Sequence, residues 1–98
     1  MPTFENADFG LKFTTPDRLN VRQALAYDSK RLEMGGQPAF VVLWECARLL
    51  IDSWECERMP DRDVDLETLE DPALARLIEF VGVAVSAWRR SLDAVPKN

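Results

Sequence analysis

FVVLWECARLLIDSWECERMP, residues 40–60, carries Trp-Glu-Cys at positions 44–46 and again at 54–56. Whether this stretch is one helix or two elements decides the fold. Phe40, Leu43, Trp44, Ala47, Leu50, Ile51 and Trp54 recur at three- and four-residue steps, the spacing of one continuous apolar stripe on a helix. On that reading the helix starts at Pro38, which suits a first turn. It stops before Pro60, because the residue preceding a proline resists the α conformation. At about 100° per residue, Trp44 and Trp54 fall about 80° apart inside the stripe, while Cys46 points about 160° from Trp44. The flanks of the two copies diverge at once, so the repeat is not a duplicated unit. Trp44 and Trp54 are expected as structural anchors of one helix face.

Along such a helix Cys46 and Cys56 would lie about 15 Å apart, whereas a disulfide needs Cα atoms within about 7 Å. A structural zinc site takes four ligands, usually Cys and His at short pair spacings. The chain has two cysteines, no histidine and no C-x-x-C, so reduced and unligated thiols are expected. Without histidine there is no Ser-His or Cys-His nucleophilic pair. Ser29 and Lys30 are adjacent and point to different faces of a helix. Asp61, Asp63 and Asp65 open like a calcium loop, but Leu66 and Pro72 stand where that pattern needs glycine and glutamate. Gly35-Gly36 falls short of a phosphate-binding loop. No enzymatic activity, metal or cofactor is expected.

Outward from the repeat, residues 1–15 alternate apolar and polar side chains over Phe9–Phe13, which fits a short extended arm ending at Pro16. Asn20 can cap a helix from Val21 to Met34, with Gly35 as its C′ residue. Residues 60–71 form an acidic connection with one helical turn near Leu66–Leu69. Asp71 as N-cap and Pro72 then open a last helix that closes with Arg89 and Arg90, the favourable sense for the helix dipole. The expected fold is all-α: a single domain over residues 1–98, a small bundle of three main helices with a short extended N-terminal arm.

Asp28 lies between Leu25 and Leu32 in the apolar stripe that begins at Val21. A buried unpaired carboxylate is costly, so Asp28 is expected to be at least half buried and anchored by a base, a hydroxyl or a backbone N–H. The last helix carries a full core stripe of Leu74, Leu77, Ile78, Val81, Val85, Trp88 and Leu92, with Trp88 its aromatic anchor. Phe80, Val83, Ala84 and Ala87 widen it to half the circumference or more. Phe80, Val83 and Ala87 are therefore candidates for an oligomer or partner interface. Gly82 in mid-helix points to a close backbone approach, since glycine there is otherwise unfavourable.

The chain of 98 residues holds 17 acids against 12 bases, a net charge of −5, which disfavours binding to nucleic-acid phosphates. Its longest apolar run, Ala39–Trp44, is far shorter than the roughly 20 residues of a membrane span, and residues 1–13, without a basic stretch followed by an apolar core, are not expected to be a signal peptide. Neither nucleic acid nor membrane is an expected partner, and the expected location is the cytoplasm.

FTTPDRLNVRQALAYDS (13–29), SWEC (53–56), DLETLEDP (65–72) and VPKN (95–98) resemble small tail assembly chaperones of long-tailed bacteriophages and prophages. The likeness covers most of residues 9–98 as scattered short matches. In it Trp54-Glu55-Cys56 looks like a family feature and Trp44-Glu45-Cys46 like coincidence. The resemblance implies a largely helical, non-enzymatic protein that coats the tape measure protein before the tail tube polymerises, in the cytoplasm of the bacterial host. It also implies homo-oligomer formation, binding to a helical apolar partner, and in many members a longer frameshifted form. The alternative reading is another phage structural or connector component, or a small regulator that binds a host protein.

Overall fold

The stretch 40–60 splits in two. In the computed structural model, which describes residues 2–92, a helix covers Ala39–Arg48 and a β-strand covers Ser53–Cys56. In chain order the elements are β1 (Thr3–Asn6), β2 (Leu11–Thr14), α1 (Val21–Glu33), α2 (Ala39–Arg48), β3 (Ser53–Cys56) and α3 (Leu74–Leu92). Short 3-10 turns lie at Ala7–Phe9 and Leu66–Thr68. The expected all-α bundle is thereby corrected to a small α+β fold. Among the described residues, three helices accompany a three-stranded antiparallel sheet in the order β1-β2-β3.

Cross-strand aromatic pairing accounts for the difference. The register sets Phe13 opposite Phe4 on one side and Trp54 on the other. The rings stack at 4.8 Å between Phe4 and Phe13 and at 5.8 Å between Phe13 and Trp54. Trp54 then meets Trp44 of α2 edge-on at 5.9 Å. On the opposite face Glu5, Lys12 and Glu55 form an acid-base-acid row. Each such cross-strand pair contributes roughly 0.2–1 kcal/mol. The N-terminal arm is thus two strands of a sheet, joined through Gly10, whose φ of 60° is the left-handed conformation that favours glycine. The helix ends where the N–H groups of Leu49 and Leu50 turn to the carbonyls of Cys46 and Ala47, tightening the last turn. Asp52 N–H then donates to Thr14 O at 2.7 Å and starts the strand pairing.

Asn20 caps α1 as expected, and reciprocally: its Oδ1 accepts from Gln23 N–H at 2.8 Å, and Gln23 Oε1 accepts from Asn20 N–H at 3.0 Å. The left-handed residue after the helix is Gly36, one position later than expected. The helix is also turned differently from the expected stripe. It buries Tyr27 against α2, and leaves Val21 74%, Leu25 59% and Leu32 83% exposed. Asp28 is not half buried: its side chain is 55% exposed and lies 3.8 Å from Arg89. Tyr27 and Leu25 sit about 160° apart on the wheel, so the helix can bury one and not the other. The aromatic ring and its contact with the Arg89 guanidinium at 5.8 Å take the inner side.

α3 packs most extensively on α2. It buries Leu74, Leu77, Ile78, Val81 and Val85 of the expected stripe, while Trp88 is half-buried and Leu92 exposed. Gly82 lies at the crossing, where an added Cβ would stand 2.9 Å from Leu43 Cβ. The acidic connection is a strap rather than a solvated linker. Val64, Leu66 and Leu69 turn inward onto the core while Asp61, Asp63 and Asp65 face water. Arg48 ties it down by donating to Arg62 O at 3.4 Å and Val64 O at 3.3 Å, and Arg62 donates to Ile51 O. The VPKN motif at 95–98 lies outside the described residues.

Candidate interaction groove

The N-terminal half of α3 and the turn between β1 and β2 enclose an open groove of about 1040 Å³. Phe80, Val83 and Ala84 form one apolar wall from α3, and Phe9 forms the other from the 3-10 turn. Arg76 and Glu79 flank the helical wall, and Asp8 and Arg58 flank the sheet side, two acids against two bases. Arg58 is held in place: it pairs with Asp71 and its guanidinium lies 6.0 Å from the Phe9 ring centroid. Asp71 in turn accepts Ala73 N–H at 3.0 Å, the expected capping contact at the start of α3. The hydrogen bond from Arg58, and then that from Ala73, hold the Asp71 carboxyl below its ordinary range.

Of the interface candidates read from the sequence, Phe80 and Val83 line this groove and Ala87 does not. Phe80 is half-buried against the core, and Val83 is 51% exposed. Ala87 is exposed one turn further along the same helix. Phe9, Asp8, Arg58 and Arg76 were not legible as groove residues. They come from segments far apart in the chain, and only the hairpin's placement beside α3 brings them together. The 9–13 alternation carries Phe9 at its first position, the one signal that could have marked it.

The remaining singled-out residues lie elsewhere. Trp44 is fully buried at the centre of the core, with the Arg48 guanidinium 5.9 Å from its ring. Trp54 donates its Nε1–H to Met59 O at 2.8 Å. Both cysteines are free and buried. Cys46, expected to lean away from the apolar stripe, is instead covered by α1 and points its thiol at Tyr27 O, 3.7 Å away. Burial pushes the Cys46 thiol pKa up, with Arg31 and Lys30 offsetting part of the shift. Cys56 on β3 points its thiol at Phe9 O at 3.4 Å. Among the described residues no group of three or more His, Cys, Asp or Glu is placed to hold a metal. Nor is any helix among them long and apolar enough to cross a membrane.

Comparison of the chain with protein-family models, with curated proteins and with solved structures gives no match. The functional reading therefore rests on the groove's own chemistry and on the motifs in the sequence.

Proposed function

We propose that the chain is a non-enzymatic protein-interaction module whose groove along α3 takes an amphipathic helix of a partner protein. The observation that carries this reading is the groove itself, with apolar walls of Phe9, Phe80, Val83 and Ala84 flanked by two acids and two bases. A helix laid in such a groove inserts apolar side chains at three- and four-residue steps and sets charges of either sign against the rim. The half-exposed Val83 is the side chain with most to gain from being covered.

The motifs at 13–29, 53–56 and 65–72 support the more specific role of a phage tail assembly chaperone. In that role the partner is the tape measure protein, a long helical chain whose apolar faces need covering until the tail tube closes around it. Co-expression with the tape measure protein and pulldown tests both levels. Full burial of a valine side chain stabilises by roughly 1.5–3 kcal/mol, so Val83→Asp is expected to weaken capture by about tenfold to a hundredfold. Circular dichroism should show unchanged helical content, because Val83 lies outside the monomer's core. Capture that is indifferent to Val83→Asp and to Phe80→Ser refutes the groove. Capture of a different partner, sensitive to both, keeps the groove and refutes the tail role.

A further inference from the structure

The outer edge of β1 carries main-chain groups that a further strand would pair. Thr15 N–H donates to Pro2 O at 3.1 Å across the β1–β2 pair. With Phe4 opposite Phe13 and Asn6 opposite Leu11, the antiparallel alternation turns the main-chain groups of Pro2, Phe4 and Asn6 towards β2. Glu5 lies between them, so its N–H and C=O point out of the sheet. β1 ends the strand order, and among the described residues no main-chain bond closes on Glu5 from outside. The strand also lacks the usual guards of an open edge: no bulge interrupts its register, and neither proline nor lysine stands within it. At the other edge the chain after β3 turns back, with Trp54 Nε1–H donating to Met59 O and Arg62 to Ile51 O. We infer that β1 is a docking edge for an extended segment of a partner protein, one that sets a base opposite Glu5 and an aromatic ring opposite Phe4.

The side chains on the two faces of the sheet choose that segment. On the outer face Lys12 stands opposite both Glu5 and Glu55, so two acids share one base and the row ends at β1 on an acid. A lysine or arginine beside Glu5 completes the alternation of charge. On the inner face the stacked row of Trp54, Phe13 and Phe4 ends at the half-buried Phe4. An aromatic ring beside Phe4 extends this row at the closer spacing of a non-hydrogen-bonded pair. Antiparallel addition places both main-chain bonds of Glu5 on the one residue that faces it, the base. A second copy is the poorer occupant: its own β1 would set Thr3 or Glu5 against Glu5, and neither is a cation. The edge is also distinct from the α3 groove, which takes only Asn6 from β1.

The acetylated and amidated heptapeptide SVKFTVS is a suitable probe, with its lysine facing Glu5 and its phenylalanine facing Phe4. Followed by NMR on the isotope-labelled whole chain, it is expected to shift the amides of residues 3–6 and to slow hydrogen exchange at Glu5. Its Kd should be about 0.1–1 mM. N-methylation of the peptide's lysine removes the N–H that reaches Glu5 O and should abolish binding. N-methylation of its phenylalanine, whose N–H points away from β1, should not. Glutamate in place of the lysine should weaken binding roughly threefold to tenfold. Glu5→Pro removes an outward N–H and leaves the β1–β2 bonds in place, so it should keep wild-type circular dichroism and lose the peptide. No binding at millimolar concentration overturns the inference, as does equal binding of the lysine-methylated peptide. Equal binding of the glutamate peptide overturns the basic partner, and loss on methylating the phenylalanine alone overturns the antiparallel register. Binding kept in Glu5→Pro and lost in Val83→Asp places the peptide in the groove and overturns the edge. Wild-type dimers in sedimentation that vanish in Glu5→Pro assign the edge to a second copy instead.

Discussion

Gly82→Ala sets two effects of opposite sign against each other, and the structure says which wins. Replacing glycine in a helix interior ordinarily stabilises by about 1 kcal/mol through propensity alone. Here the new Cβ would lie 2.9 Å from Leu43 Cβ, 3.2 Å from Leu43 C and 3.2 Å from Trp44 N. Carbon atoms prefer about 3.5–4.0 Å, so α2 and α3 must part by several tenths of an ångström. None of these atoms is the free end of a side chain, so no rotamer change relieves the contact. Moving α2 also moves Trp44, which touches Trp54 of the sheet. Overpacking of this kind costs about 1–3 kcal/mol, and with backbone atoms among the contacts the upper part of that range applies, which leaves the variant less stable by up to about 2 kcal/mol after the propensity gain. Urea denaturation followed by tryptophan fluorescence should show a lower midpoint with an unchanged slope, and melting should fall by about 4–8 °C per kcal/mol. A midpoint at or above that of the wild type would refute the close approach of the two helices.

Three further outcomes are expected. Trp54→Phe keeps a ring beside Phe13 but leaves Met59 O without its donor, and should lower stability by about 1–2 kcal/mol in the same urea assay; no change would show that this bond is replaced by water at no cost. Asp71 has a folded-state pKa depressed below its ordinary 3.8, so what its bonds with Arg58 and Ala73 contribute is present above that value and lost as pH falls below it. The acid limb of the stability curve should flatten in Asp71→Asn, and an identical limb would refute the pairing. Cys46 has a folded-state pKa raised above 9.0 by burial, so its contribution is complete below pH 9.0 and lost as pH rises through the higher folded value. Native Cys46 should resist iodoacetamide at pH 8 and react on unfolding in urea; rapid alkylation of the folded chain would contradict its burial.

The elements that announce themselves locally were legible in the residues. Asn20 with Gln23 marks the start of α1, Asp71 caps the first turn of α3, and the turn at Leu66–Thr68 falls where the acidic connection was expected to coil. Gly82 signalled a close approach because glycine is unfavourable in a helix without such a reason, and the crossing with α2 supplies it. The outer side of α3 was legible in part: Val83 is half exposed and lines the groove, while Phe80 lines it and also packs against the core.

Only the tertiary structure decided the rest. Trp54 fits a helical stripe ten residues on from Trp44 as well as it fits a four-residue strand, and periodicity cannot choose between them. Pairing with Phe13 chooses, and that contact joins segments about forty residues apart. The same holds for α1: the stripe of Val21, Leu25 and Leu32 was the expected inner face, and packing against α2 and Arg89 turned Tyr27 inward instead. Capping is settled by near neighbours in the chain, so the sequence by itself determined where α1 begins and that Asp71 caps the turn leading into α3, which starts two residues later than expected. Strand pairing, the facing of a helix and the assembly of a groove depend on which distant surfaces meet, and those were decided when the hairpin, β3 and α3 closed around Trp44.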